Sequence, residues 1–326
     1  KIRLPQSQPD RYLRNRFKDD GLNPNLIGFS AVFAAAAAWG MSGIFVTYIV
    51  DASGCSSVSL AFWRDLTTCI VLLLWSALRR RHQLSIQKSD WIWFILMGVC
   101  LGLFHIFYNQ SVLLNGASVT TVEQAAMPAF VTLAALYLWK EPLGRAKPFS
   151  IIVIFVGTLL ASGVNPSDMK SGMSGLAVGL TVPVFYAGWT ICGKQIVSRY
   201  GPVYSLGVAF GIASMVLLFL QPFTKQPSGL SMVFFLSFTG LIGLSTVGAF
   251  TLYMAGLKHI QAGIASIIVM SEILFAGCYA WFLLGERFSS VQLAGAILVM
   301  LGVGWLSWYQ GLNKKPEVAS NPKFSS

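Results

Sequence analysis

The chain has 326 residues, of which 55% are hydrophobic and 11% charged, and its mean hydropathy is +0.66. An average soluble domain carries roughly 25% charged residues, so a water-soluble globule, whose helices need polar outer faces, is excluded. The formal net charge of +11 needs no nucleic-acid partner, because most of the basic residues fall at the ends of apolar stretches, where they act as topology determinants beside anionic headgroups.

Residues 1–24 form a polar, basic tail without the apolar run of a signal peptide, so no cleavage is expected there. Its RYLRNRF segment suits a short helix lying on the inner membrane face. Ten charge-poor stretches follow, at about 25–50, 57–78, 91–113, 117–138, 148–165, 174–197, 202–222, 230–256, 262–284 and 289–310. Each approaches the ~20 residues a helix needs to cross about 30 Å of hydrocarbon. In the second, Arg64 and Asp65 leave a clean apolar run only from Leu66 to Leu78. Residues 311–326 are a C-terminal tail. The expected fold is an all-α integral membrane protein of ten transmembrane helices, with residues 25–165 as one five-helix unit and 174–310 as a second. The polar stretch NPSDMKSGMS separates them.

With both termini placed in the cytoplasm, 19 of the 23 Lys and Arg residues fall on the cytoplasmic side. That bias fixes an orientation, in the cell's plasma or inner membrane. Sliding residues 98–163 by 145 places onto 243–308 superposes Tyr108 on Tyr253, Ala117 on Ala262, Glu141 on Glu286 and Gly157 on Gly302, with 10 identities in 66 positions. An odd number of spans per unit forces the second unit to enter from the opposite side. The expected architecture is therefore two inverted-topology five-helix repeats, as in alternating-access carriers.

Small residues such as Gly98 with Gly102, and Gly295 with Gly302 and Gly304, are spaced for close helix packing. Pro128 and Pro183 interrupt the fourth and sixth spans as hinges or as static bends. The five cysteines show no CxxC spacing, so neither a metal site, a disulfide framework nor a cofactor is expected.

The hairpin of spans three and four, with its repeat in eight and nine, resembles the EamA unit of the drug/metabolite transporter superfamily. The first copy runs from Gly116-Ala117-Ser118 through Pro128 to Lys140-Glu141-Pro142. The second runs from Leu257–Gly263 through Ser271-Glu272-Ile273 to Leu283-Leu284-Gly285-Glu286-Arg287. Gly157 and Gly302, the pairs Trp39-Gly40 and Gly188-Trp189, and Arg64 also fit family positions. The resemblance covers about 28–308. It implies a ten-helix carrier, and Glu272 occupies a position that is often acidic in the family. The first copy departs from it, with Trp139-Lys140-Glu141 in place of a Leu-Gly-Glu ending.

Ionisable groups inside a span need a reason to stay. His105, Tyr108 and Asn109 share one helical face, and Glu123, Gln124 and Met127 form another. The functional reading is a central substrate cavity walled by spans three, four, eight and nine, with Met270 and Glu272 on the ninth, capped by Trp39, Tyr186, Trp189 and Tyr253. Glu272, Glu123 and His105 are the candidate proton-coupling groups. The alternative for each is a satisfied interior residue that fixes packing. Glu141 and Glu286 end helices, and pairing with Arg145 or Arg287, or capping of the next helix, explains them. Arg64 with Asp65 reads as a topological or local ion-pair feature, and Lys194 as a residue that snorkels to the headgroups.

The leading function is a secondary active transporter, an exporter of a small metabolite such as an amino acid or amphipathic solute, with proton coupling chemically available. A facilitative exchanger of nucleotide-sugars or other organic anions, or a channel or scaffold, stands as the alternative. Nothing matches a Walker A sequence, GxSxG or HExxH, so an ATP-driven pump and an intramembrane enzyme are not expected. The partners are a small-molecule substrate and the lipid bilayer.

Overall fold

The computed structural model describes residues 24–78, 85–139, 146–161, 169–256, 259, 265, 268–269 and 271–313. Among these residues there is no strand. Helix α1 (Pro24–Gly40) is interrupted at Met41 and continues as α2 (Ser42–Ser53), which ends at Gly54 with a positive φ of 61°. Helix α3 (Ser57–Leu78) fills the whole second span. Its two charges sit on the buried side, Arg64 6% and Asp65 0% exposed, so they do not shorten the apolar outer surface. Helix α4 (Trp91–Asn115) ends at Gly116, where φ is +89°.

The fourth span is broken into α5 (Ala117–Gln124) and α6 (Met127–Trp139). Pro128 explains the break, since it offers no N–H to the Gln124 carbonyl four residues back. Helices α7 (Ala146–Ala161), α8 (Met169–Tyr200) and α9 (Pro202–Leu218) follow. Pro183 leaves α8 continuous, so the interruption expected there is absent. One missing N–H is absorbed within 32 residues that pack along α4. The eighth span is α10 (Met232–Ile242) and α11 (Ala249–Gly256), joined by a wide π-type segment at Gly243–Gly248. Helix α12 (Ser271–Tyr279) runs into a second such segment, Ala280–Leu284, before α13 (Ser290–Asn313).

Five of these helical stretches are long and apolar enough to cross a membrane, with four shorter apolar helices beside them. The polarity is that of a protein in lipid. Phe223 is 87%, Leu78 82% and Phe219 79% exposed, while Arg64, Asp65, His105, Asn109, Glu123 and Glu272 are buried. Lipid tails satisfy exposed phenyl rings but not exposed charges.

The two loop faces show the inversion directly. On one face, Ser56 N–H donates to the Lys225 carbonyl (3.0 Å), Ser228 N–H donates to Ser53 (3.1 Å), and Asn115 Nδ2 donates to Gly175 (3.0 Å). On the other, Tyr200 Oη donates to Asp90 (2.7 Å) and accepts from Gln87 N–H (3.0 Å), and Arg199 Nη1 lies 2.5 Å from Asp90. Helix α8 therefore starts on the Gly116 face and ends on the Asp90 face, opposite in direction to α1–α2, which reaches the Gly116 face at Gly54. The fold is a ten-helix membrane fold of two inverted five-helix repeats.

Helices α7 and α13 pack on each other and supply no residue to the central cavity. Their backbones touch at Gly157 and Gly295. A Cβ on Gly295 would lie 2.4 Å from the Ala161 nitrogen and 2.6 Å from the Gly157 carbonyl oxygen. Gly304, on the same helix, would meet nothing within 4 Å. Gly295→Ala should therefore cost about 1–3 kcal/mol by overpacking, seen as a lower melting temperature in detergent, while Gly304→Ala should leave it unchanged. Equal melting temperatures for the two variants would show that backbone contact does not hold this pair together.

Candidate functional site

Helices from both halves converge on a cavity of about 50 Å³, room for a few waters. Helices α1 and α2 contribute Trp39 and Ser42. Arg64 comes from α3, Leu101, Phe104, His105 and Tyr108 from α4, and Gln124 from the last residue of α5. The second half adds Tyr186 and Trp189 from α8, Phe210 from α9, Thr246 and Phe250 from the eighth span, and Glu272 from α12. The expected walls were spans three, four, eight and nine. The first and sixth were expected to cap it with Trp39, Tyr186 and Trp189, and the structure adds the second and seventh.

The aromatic lining is a run of ring contacts. Trp39 packs on Phe250 at 5.4 Å, Phe250 on Trp189 at 5.8 Å, Trp189 on Tyr186 at 5.3 Å, and Tyr186 on Phe104 at 5.0 Å between centroids. Two of these rings come from the first half and three from the second, so any movement between halves reshapes the box.

The charged groups are placed by local geometry. The wide segment Gly243–Gly248 turns Thr246 inward: its hydroxyl donates to the Leu241 carbonyl (2.8 Å) and accepts from Arg64 Nη2 (3.3 Å). Such segments are frequent at functional sites. Asp65, adjacent to Arg64, turns away from it and meets His105 Nδ1 at 2.5 Å. Arg64 Nε and Nη1, Asp65 Oδ2 and Trp189 Nε1 are buried without a hydrogen-bond partner among the described residues. Glu272 Oε1 accepts from Gln124 Nε2 at 3.1 Å, a contact between the halves. Tyr108 lies within electrostatic reach of both Glu272 and Arg64.

Of the residues singled out from the sequence, Trp39, His105, Tyr108, Gln124, Tyr186, Trp189 and Glu272 meet at the cavity. Tyr253 stands behind Trp39, ring to ring at 5.4 Å. Asn109 turns to the start of α3, donating to the Ser57 carbonyl (3.2 Å). Met127 lies past the break in the fourth span, off the cavity wall. Met270, Glu141 and Arg145 lie outside the described residues. Glu123 is fully buried away from the cavity, accepting from Ser111 Oγ (2.7 Å) and from Asn115 Nδ2 (3.1 Å to Oε1). Gly179 makes room for it, since a Cβ there would overlap the carboxyl. No metal-binding cluster of His, Cys, Asp or Glu occurs among the described residues.

Arg64 is the main residue that sequence reasoning placed elsewhere. The available signal was a charge at span depth, masked by an adjacent acid that reads as its partner. Phe104, Phe210 and Phe250 gave no signal, because phenylalanine is as common on the lipid side.

Glu286 does not pair with Arg287 in the way its sequence neighbourhood suggests. Its Oε1 accepts from the Ala117 N–H (2.8 Å), and its Oε2 accepts from the Ser118 N–H (3.0 Å) and hydroxyl (2.6 Å). One carboxylate thus caps α5 in the other half, where free N–H groups and the helix dipole favour an anion. Gly116 is required beside it, both for its positive φ and because a Cβ would lie 2.9 Å from Oε1. Tyr48 Oη donates to the Leu283 carbonyl (3.0 Å) nearby. The Gly116 face is thus clasped between halves.

The EamA-like transporter family model matches residues 26–163 and 173–308. An uncharacterized inner membrane transporter of Salmonella typhimurium, YicL, is 25% identical over 285 residues, 85% of this chain and 93% of its own length. A riboflavin transporter of Fusobacterium nucleatum, ImpX, is 26% identical over 298 residues, 86% of this chain and 98% of its own. One crystal structure aligns with a TM-score of 0.59 at 15% identity, covering 89% of this chain and 99% of that one. It supports the fold alone.

Glu286→Ala should lower the melting temperature, each lost bond to the carboxylate being worth about 1.5–3 kcal/mol. In a chain otherwise free of cysteine, Ala117→Cys should then react with a membrane-impermeant maleimide roughly tenfold faster. An unchanged labelling rate would show that Glu286 does not close this face.

Proposed function

Because the chain belongs to the EamA-like transporter family, we propose that it is a secondary active carrier that exports a small metabolite, an amino acid or similar amphipathic solute, by alternating access around the central cavity, with both termini in the cytoplasm. The observation that carries this reading is a cavity built from both halves and bridged by Gln124–Glu272. The clasp of Glu286 on α5 closes the Gly116 face in this conformation. A channel needs a continuous open path, which a cavity of about 50 Å³ bridged between the halves does not offer.

Proton coupling is assigned to Glu272. It is the carboxylate of the cavity wall, 8% exposed, and its recorded partner is a neutral amide. Proton release and substrate contact can therefore alternate at one group. Glu123 is a poorer choice, since it is sealed among Ser111, Asn115 and Gly179. His105 is engaged with Asp65. Arg64 supports a second reading, exchange of organic anions, because it places a fixed positive charge in the wall.

Purified protein in liposomes should show saturable counterflow for some member of a metabolite panel that includes amino acids, organic anions and riboflavin. Absence of exchange across the panel would sink the carrier reading. Glu272→Gln keeps the side chain's shape and should reduce accumulation driven by a pH gradient by about tenfold or more, while counterflow stays saturable at a higher half-saturating concentration. Full gradient-driven accumulation by that variant would remove Glu272 as the coupling group.

A further inference from the structure

Arg64 is 6% exposed and lines the cavity, yet its Nε and Nη1 have no hydrogen-bond partner among the described residues. Its Nη2 makes a long contact to Thr246. The acid next to it in sequence is held by His105, and no carboxylate lies within ion-pair distance of the guanidinium among the described residues. Asp65 acts on the guanidinium electrostatically without bonding it, and hydrogen-bond donors left unmet inside a membrane are costly. Nε and Nη1 flank Nη2, which has two N–H groups and spends one on Thr246, so a planar carboxylate can take two parallel donors on a fork that pairs Nη2 with Nε or with Nη1.

Glu272 faces the same cavity with the opposite charge, and Tyr108 lies within electrostatic reach of both. The rest of the lining is largely aromatic. We propose that Arg64 and Glu272 form a two-ended anchor for a zwitterionic solute, the guanidinium taking a carboxylate and Glu272 an ammonium group, with the solute's apolar body against Trp39, Phe104 and Trp189. The inference rests on the carrier reading and names its substrate class.

The charge balance selects against other solutes. An organic cation neutralises Glu272 and leaves the Nε and Nη1 donors of Arg64 unmet. A carboxylate without an amine meets Arg64 but faces the like charge of Glu272. A phosphorylated solute brings two negative charges to one cation. A net-neutral solute with separated charges compensates both ends. The cavity of about 50 Å³ holds only a few waters, so binding goes with a widening between the halves. Trp189 Nε1, also unpartnered, then provides a further donor.

The test compares leucine with 3-methylbutylamine, which lacks the carboxylate, and 4-methylpentanoate, which lacks the amine. Each is used as a competitor of leucine counterflow in liposomes. Leucine should inhibit at concentrations at least about tenfold below either truncated compound, the cost of one unpaired buried charge. Arg64→Gln should bring leucine and 3-methylbutylamine to within about threefold of each other, and Glu272→Gln should do the same for leucine and 4-methylpentanoate. Equal competition by either truncated compound in the wild-type protein overturns the inference, with no variant needed. So does an unchanged leucine preference in a correctly folded Arg64→Gln or Arg64→Lys protein. Counterflow of other solutes without leucine counterflow sinks the zwitterion class and leaves the carrier standing. No counterflow of any solute sinks the carrier itself.

Discussion

Hydrocarbon offers no hydrogen-bond partner, and this one constraint turns the molecule inside out. Every backbone must become helix, and every polar side chain at depth must find its partner on another helix. The charged groups of α3 show the consequence. Arg64 and Asp65 sit in a span whose outer surface stays apolar because both are turned inward. Once inward, each needs a different neighbour: Asp65 meets His105, and Arg64 meets Thr246. The wide π-type segment of the eighth span that delivers Thr246 is then part of what fixes the cavity wall.

The halves are joined by contacts of two kinds. Helices α7 and α13 meet backbone to backbone at Gly157 and Gly295, where dispersion over close surfaces does the work and nothing polar must break. At the cavity and at the Gly116 face the junctions include hydrogen bonds to carboxylates, Gln124 to Glu272 and the start of α5 to Glu286, beside bonds such as Arg64 to Thr246 and Tyr48 to the Leu283 carbonyl. A packed glycine seam tolerates small rotations while holding its distance. A carboxylate clasp is either made or broken. The arrangement therefore places a continuous contact between α7 and α13 and discrete ones at the cavity and the Gly116 face.

Much of the fold was legible because lipid imposes it. Length and hydropathy give the spans, and the odd span count gives the inversion. The aromatic cap and Glu272 were legible because a bulky amphipathic ring or an acid at depth has few uses. What was not legible depends on pairing across the sequence. Glu286 reaches residues 168 and 169 positions away, and no local pattern announces that a helix-terminal acid will cap a helix of the other repeat. Arg64 was hidden by Asp65, since adjacent opposite charges read as a pair. On a helix they project about 100° apart, and the structure sends them to different partners. Glu123 was grouped with Gln124 on sequence grounds. The same rotation sends one to the Ser111–Asn115 cluster and the other to Glu272.

The location of each carboxylate decides whether it can act as a gate. If the halves rock apart, the bonds of Glu286 open at a loop face, where that residue is half-buried and water can replace the lost donors. Each then costs the net value of a hydrogen bond to a charged group, about 1.5–3 kcal/mol. Three such bonds sum to roughly 4.5–9 kcal/mol, the range between the binding free energies of a millimolar and a micromolar ligand, about 4 and 8 kcal/mol. Differential binding of solute can shift an equilibrium of that size. Glu123 is different, because it is fully buried and its donors would be replaced by nothing. Breaking Ser111 and Asn115 from it would expose a bare acid to hydrocarbon. The cluster that ties α4 and α5 to α8 should therefore move as one piece. The carboxylate at the loop face can open, and the one sealed in the membrane holds the moving parts together.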